Sequence, residues 1–353
     1  MRKGKRLIAW IMAVVMLFTI CVFDGNGTAE AAATTPVAKH GRLSVKGADL
    51  VDSKGNKFQL RGISTHGINW DVGSPYVNKK AFKTLRDDWG VNAIRLAMYT
   101  EEYNGYCSGG SQAKLRKQVD KGVGYATDLG MYAIIDWHIL SDGNPNKNKS
   151  QAKKFFTTMA KKYKNNKNVI YEICNEPNGC GWKEIKSYAT DIIKTIRKYD
   201  KKAVIIVGTP TWSQLGTDGT SNEVADSPIK GYKNIMYSLH FYASEWAHNE
   251  YLPAKVAYAR KKKLPIIVSE FGLSPASGDG AINKASADKW MKLLNKYNIS
   301  YFCWSLSNKN ESASLLKPST KKTSGWKSGD LSTAGKYIKK KYLARKKALG
   351  KKA

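Results

Sequence analysis

The 353-residue chain carries 59 Lys and Arg against 28 Asp and Glu, a formal charge of +31, so a polyanionic partner has to be weighed. The lysines fall in short runs such as Lys161-Lys162, Lys201-Lys202, Lys261 to Lys263 and Lys339 to Lys341, within or after segments of helical apolar spacing. No zinc-finger spacing, RNA-binding aromatic signature or basic recognition arm accompanies them, which excludes the usual nucleic-acid-binding architectures and leaves solvated helix faces with a loose attraction to acidic polymers.

At the start, Met1 to Arg6 holds four positive charges, the apolar run Leu7 to Phe23 comes next, and Ala29-Glu30-Ala31-Ala32-Ala33 offers small-residue cleavage sites. That is the layout of a secretory signal peptide. We expect a leader over residues 1–33, a secreted mature chain of about 320 residues, and one catalytic domain over 34–353 that includes a basic C-terminal tail. No later segment has the roughly 18 to 20 continuous apolar residues of a membrane span. Four cysteines remain beyond the leader, and their spacing fits no metal site. Cys174 and Cys303 sit in apolar runs, whereas Cys107 and Cys180 lie in Gly-rich loops and are free to pair or not.

Leu43 to Leu60 reads as two short strands around the turn Asp52-Ser-Lys-Gly-Asn, a hairpin that would close the bottom of a barrel. Then come eight β-branched or aromatic runs: Phe58 to Ile63, Asn92 to Met98, Tyr132 to Trp137, Val169 to Cys174, Ala203 to Val207, Ile235 to Leu239, Pro265 to Ser269 and Ile299 to Trp304. Their centres lie about 30 to 40 residues apart, the size of one βα unit, and the fold class this predicts is a (β/α)8 barrel. Between them Lys79 to Asp88, Lys153 to Tyr163 and Trp182 to Tyr199 have apolar residues at three- and four-residue intervals, as outer helices do. An open doubly wound sheet is the alternative, weakened by the absence of a Gly-rich phosphate loop after the first strand. The tail from Tyr337 reads as a basic helix.

In such a barrel the C-terminal strand ends point into one pocket. Here those ends carry Arg95, His138, Asn175, Glu176, His240, Tyr242, Glu270 and Trp304, with His66 after the first strand. Two glutamates across one pocket point to glycoside hydrolysis, one protonating the leaving oxygen and the other meeting the positive charge that develops on the sugar carbon. Three scattered histidines lack the spacing of zinc ligands, and no G-x-S-x-G elbow supports a serine nucleophile. No cofactor or metal is expected, and a monomer is the default.

The blocks VIYEICNEP (Val169 to Pro177), SLHFY (Ser238 to Tyr242), IVSEFG (Ile267 to Gly272) and WSLSNK (Trp304 to Lys309) occur in this order at these strand ends. Together they resemble the signature blocks of glycoside hydrolase family 5, and within it the chain is most similar to bacterial endoglucanases. The resemblance spans about residues 40 to 335. It implies a retaining endo-β-1,4-glucanase in which Glu176 is acid/base and Glu270 the nucleophile, held by the charge of Arg95. It further implies that Asn175 meets the sugar 2-hydroxyl, His240 sets the protonation of Glu176, Tyr242 touches Glu270 and the ring oxygen, and His138 lines the same subsite. Trp304 would lie under the reacting sugar and Trp212 on the leaving-group side. His66, Trp70, Asp71 and Tyr99 would serve the non-reducing side, with Ala276, Ser277, Lys309, Asn310 and Glu311; Asp71 stands where an aromatic is commoner. Mannan, xyloglucan or mixed-linkage glucan are alternative substrates, and a non-catalytic carbohydrate-binding barrel is the alternative from another class.

Overall fold

The computed structural model describes residues 35–350. The leader expected over 1–33 lies outside them. The described chain opens with helix α1 (Pro36–His40) and the antiparallel pair β1 (Ser44–Lys46) and β2 (Asp49–Val51). Eight parallel strands then close a barrel: β3 (Arg61–Thr65), β4 (Ala93–Tyr99), β5 (Tyr132–His138), β6 (Val169–Glu172), β7 (Ile205–Val207), β8 (Ile235–Tyr242), β9 (Ile266–Gly272) and β10 (Tyr301–Leu306), with β10 pairing back to β3. Around it run α2 (Lys79–Trp89), α3 (Gln112–Asp128), α4 (Lys149–Tyr163), α5 (Trp182–Arg197), the short turns α6 (Pro210–Ser213) and α7 (Glu223–Asp226), then α8 (Trp246–Lys261), α9 (Lys284–Lys296) and α10 (Thr333–Gly350). The expected (β/α)8 architecture is the one found.

Helix α2 shows how the sequence writes an element. The Asn78 side chain caps its start by accepting from the Ala81 amide, and Gly90 ends it in the left-handed region at φ 75°. Between the caps Ala81, Phe82, Leu85 and Trp89 form the buried stripe. On β4 the pleat sorts side chains by face: Ile94, Leu96 and Met98 pack outward in the cluster shared with the helices, while Ala93, Arg95, Ala97 and Tyr99 occupy the alternate positions.

The barrel interior is apolar at its N-terminal end. Leu43, Leu50, Phe58 and Leu60 from the entry segment pack there with Ile134, Ile170, Ile206, Ile267 and Phe302 from the strands. The hairpin thus closes the bottom as expected, but its turn lies elsewhere. The reversal between β1 and β2 falls at Gly47-Ala48, with Gly47 at φ 59°. Asp52 builds a second turn, its Oδ1 accepting from the Lys54 and Asn56 amides, and this leads to a lone bridge between Val51 and Lys57. The first barrel strand also starts at Arg61 rather than Phe58, because Phe58 and Leu60 plug the bottom. Apolar content does not distinguish a plug from a strand.

The basic tail is the last helix of the ring. In α10 Tyr342 is fully buried and donates to the Gly62 carbonyl, while Arg345 reaches the Gln59 side chain. Among the described residues Cys107, Cys174, Cys180 and Cys303 are free thiols, and no disulfide joins Cys107 to Cys180. No helix among the described residues is long and apolar enough to cross a membrane.

Candidate active site

The C-terminal end of the barrel interior is charged where the other end is apolar. Arg95, fully buried at mid-height of β4, is the hub. Its Nε donates to Glu172 Oε2 at 2.7 Å, its Nη1 to Glu270 Oε2 at 2.9 Å, and its Nη2 to Asn175 Oδ1 at 2.5 Å, with Asp136 Oδ2 3.1 Å from Nη2. Burial opposes its charge, yet the three carboxylates hold it firmly protonated. The planar fork serves several partners at once, which a lysine ammonium in its place would not.

Glu270 reaches this hub through a register shift. Between Ser238/Ile267 and His240/Glu270 strand β9 carries one more residue than β8. The extra residue lets both Ser269 and Glu270 turn inward, the re-aiming that bulges provide. Glu270 Oε1 accepts from the Tyr242 hydroxyl at 2.7 Å, so both of its oxygens are held. Burial, with Glu270 adding to it, keeps the Tyr242 phenol proton in place.

Glu176 lies just beyond β6, and its side chain is 12% exposed. Its Oε1 is 2.8 Å from His240 Nδ1, and His240 Nε2 is 2.9 Å from Ser269 Oγ, which in turn bonds Ser238 Oγ. Burial lowers the His240 pKa to about 4, and burial, with Asp136 and Glu172 adding to it, raises that of Glu176 to about 8. A neutral His240 carrying its proton on Nε2 donates to Ser269 and accepts from protonated Glu176. The arrangement therefore favours a Glu176 that keeps its proton near neutrality. The segment behind it packs on Gly208, where a Cβ would fall 2.3 Å from the Cys174 carbonyl and 2.7 Å from Pro177.

Acceptor atoms of Glu176, His240 and Glu270 lie within 4.8 Å of one another, a cluster that could in principle hold a cation. Both His240 nitrogens are already engaged, and Glu270 is committed to Arg95 and Tyr242, which favours proton chemistry at this cluster.

Above this floor is a cavity of about 590 Å³. One wall is aromatic: Trp304 and His138 stack with ring centroids 5.2 Å apart, Tyr99 lies 4.1 Å from His138, and Trp70 is 4.5 Å from Tyr99. His66 accepts from the Gly67 amide through Nδ1, so its Nε2 proton faces Glu311, 3.8 Å away, which also pairs with Lys309. Trp212, 44% exposed, stands on the loop after β7, where Thr211 and Trp212 both adopt left-handed backbone angles. Ala276 and Ser277 line the cavity from the loop after β9.

The structure thus brings together most of the residues expected from sequence. Asp71 and Asn310 are exposed on neighbouring loops and line no part of the cavity. Asn175 lies beneath it, giving its amide protons to His138 Nε2 and the Ile139 carbonyl. That fixes the proton of His138 on Nδ1, 2.6 Å from Asp136. Sequence reading missed Asp136 and Glu172, the fully buried partners of Arg95, and Glu102, Gln214, Glu245 and His248 in the lining. A signal for the first two was present: an acidic residue inside an apolar barrel strand requires a buried cation, and Arg95 was the available one.

The sequence profile described as Cellulase (glycosyl hydrolase family 5) matches residues 51–310. The chain belongs to that family. An endoglucanase of Clostridium saccharobutylicum is 46% identical over 339 residues, covering 95% of this chain and 72% of the relative. Endoglucanase 5 of Pectobacterium carotovorum subsp. carotovorum is 45% identical over 317 residues, covering 89% of this chain and 60% of the relative. Among solved structures, the catalytic domain of Thermobifida fusca endoglucanase Cel5A superposes with a TM-score of 0.82 at 36% identity, covering 88% of this chain and 99% of that one. A variant of the same domain in complex with cellotetraose gives 0.81. The family 5 assignment accounts for a closed barrel with paired carboxylates at its C-terminal mouth.

Proposed function

We propose that this family 5 endoglucanase is a secreted, retaining enzyme that cuts internal β-1,4-glucosidic bonds of cellulose-type chains. The observation that carries the reading is the short separation of Glu176 and Glu270, whose oxygens come within 4.8 Å of each other. Retention needs carboxyl groups about 5 to 5.5 Å apart, whereas inversion leaves room for water at about 6.5 Å or more.

In the first step a Glu270 oxygen attacks the anomeric carbon as its bond to the glycosidic oxygen breaks, and Glu176 passes its proton to that oxygen. Arg95 and Tyr242 keep Glu270 aimed. Loss of the proton sets the Glu176 carboxylate against the Nδ1 lone pair of neutral His240, which favours recovery of a proton. Glu176 takes it from water as the water oxygen attacks the anomeric carbon, and the glycosyl–Glu270 ester bond breaks. Trp304 offers a flat face to the sugar at the reacting position, with Trp212 beyond the broken bond. The exposure of Trp212 supports a cleft open along that wall, as an endo-acting enzyme needs. Export is supported by the order of residues 1–33, basic, then apolar, then small.

Proton NMR during hydrolysis of a soluble cello-oligosaccharide tests the mechanism, with β anomer expected as first product. The α anomer as first product would overturn retention. Viscosity and reducing-end assays on β-glucan, with mannan and xyloglucan alongside, test the substrate: a steep viscosity fall on glucan is expected, and cleavage confined to mannan would move the substrate.

A further inference from the structure

The chain's excess of positive charge is unevenly placed on the barrel. The four connections that enter β6, β7, β8 and β9, residues 164–168, 198–204, 227–234 and 262–265, hold nine lysines and one acidic residue, Asp200. The seven connections that leave β3 through β9, up to the next of α2, α3, α4, α5, α7, α8 and α9, hold eight acidic residues and one lysine, Lys147. Because β6 to β9 are neighbours in the barrel, the nine lysines share one side of its N-terminal end. Among the described residues only Lys262 of the nine has a carboxylate partner, Asp226 at 2.8 Å.

Within this face lies a hollow of about 520 Å³ whose lining includes Arg42, Lys164, Lys167, Tyr199, Lys201 and Lys202. Arg42 Nη1 makes no hydrogen bond among the described residues, and Asp200 Oδ1 lies 3.9 Å from it. Asp200 is buried, accepts from the Lys202 and Ala203 amides through Oδ1, and is the one carboxylate in a lining that holds Arg42 and four lysines. Tyr199 is half-buried in the same lining, with Lys161 Nζ 5.1 Å from its ring centroid. A ring face beside unpaired ammonium groups suits a sugar that carries a carboxylate: the ring packs on the pyranose C–H surface while the lysines meet the charge.

We propose that this face, at the end of the barrel opposite the cleft, is a docking surface for an acidic polysaccharide of uronate type. Neutral glucan is not its ligand. Held there, the enzyme points its cleft away from the acidic polymer and towards neutral chains nearby. The attraction is between solvated charges and weakens with salt, since the Debye length falls from about 10 Å at 0.1 M to about 3 Å at 1 M.

The test is retention on immobilised polygalacturonate across a NaCl series, with hydrolysis of neutral barley β-glucan as the measure of folding. Three chains are compared: the wild type, a variant with Lys164, Lys167, Lys201 and Lys202 each changed to Glu, and a variant with Lys80, Lys114, Lys117 and Lys121 each changed to Glu. The second variant has the same net charge as the first but alters α2 and α3 instead. The expected result is retention of wild type at 50 mM NaCl and release below 1 M, at least tenfold weaker binding for the first variant, a loss under threefold for the second, and unchanged glucan hydrolysis in all. Equal losses in the two variants would mean that net charge alone acts, and no loss in the first would remove the hollow from the interaction. Binding of double-stranded DNA as tight as that of polygalacturonate at equal salt would overturn the uronate assignment.

Discussion

The two ends of the barrel interior are built from the same eight strands and could hardly differ more. At the N-terminal end Ile134, Ile170, Ile206, Ile267 and Phe302 meet the entry segment in an apolar plug. A few residues further along the same strands Arg95, Asp136, Glu172 and Glu270 share a buried charged network. The apolar end contributes burial energy, whereas buried charges contribute little net stability even when paired. Stability and reactivity are thus separated along the strand axis, and a substitution should affect chiefly one of them according to its height in the barrel.

The largest expected effect is at the charged end. Glu270→Gln should lower kcat on soluble glucan by on the order of 10⁵ while the thermal midpoint stays close to wild type, because the shape of the side chain is kept. Residual activity above a few per cent would remove Glu270 from the nucleophile's role. Glu176→Gln should lower kcat by about 10² to 10⁴, least for substrates whose leaving group needs no proton. Wild-type kcat/KM should fall above pH about 8, where Glu176 loses its proton, and this limb should be absent in the variant.

The same group tests the comparison through stability. The Glu176 pKa is raised in the folded state, so its contribution to stability is fully present below its ordinary value near 4.5 and is lost as pH rises through about 8. Glu176→Gln should therefore raise the thermal midpoint relative to wild type at pH 9 and change it little at pH 4; a midpoint difference that does not grow with pH would contradict the raised pKa. At the apolar end, Ile206→Ala should destabilise by about 2 to 5 kcal/mol, read from denaturant unfolding, with kcat unchanged well below the transition. Loss of kcat there would break the separation. Smallest of all, Asp71→Ala should leave KM within about twofold, since Asp71 is exposed and lines no part of the cavity.

Legibility from sequence divides along similar lines. The βα rhythm was legible because each strand run and each amphipathic stretch has its own period, and Glu176 and Glu270 stood out at strand ends within longer blocks. The turn between β1 and β2 was not, because Gly47-Ala48 is a weaker turn sequence than Asp52 to Asn56, and both turns form. Asp136 and Glu172 were passed over because nothing local shows that Arg95, 41 and 77 residues earlier in the chain, needs more than one counter-charge. The contacts of the Asn175 amide with His138 and the Ile139 carbonyl were not legible either, because they depend on tertiary packing. Long-range hydrogen bonding was the part hidden from a linear reading.

Gly208 places a limit on how this enzyme can be redesigned. It lines no part of the cleft, yet its bare α-carbon faces the Cys174 and Asn175 carbonyls and the Pro177 ring across gaps that a methyl group would overfill. In a library that randomises the lining to change substrate preference, position 208 would be an invisible veto. Any side chain there would push on the segment that presents Glu176, so hits chosen for new specificity would come from clones that left this glycine alone.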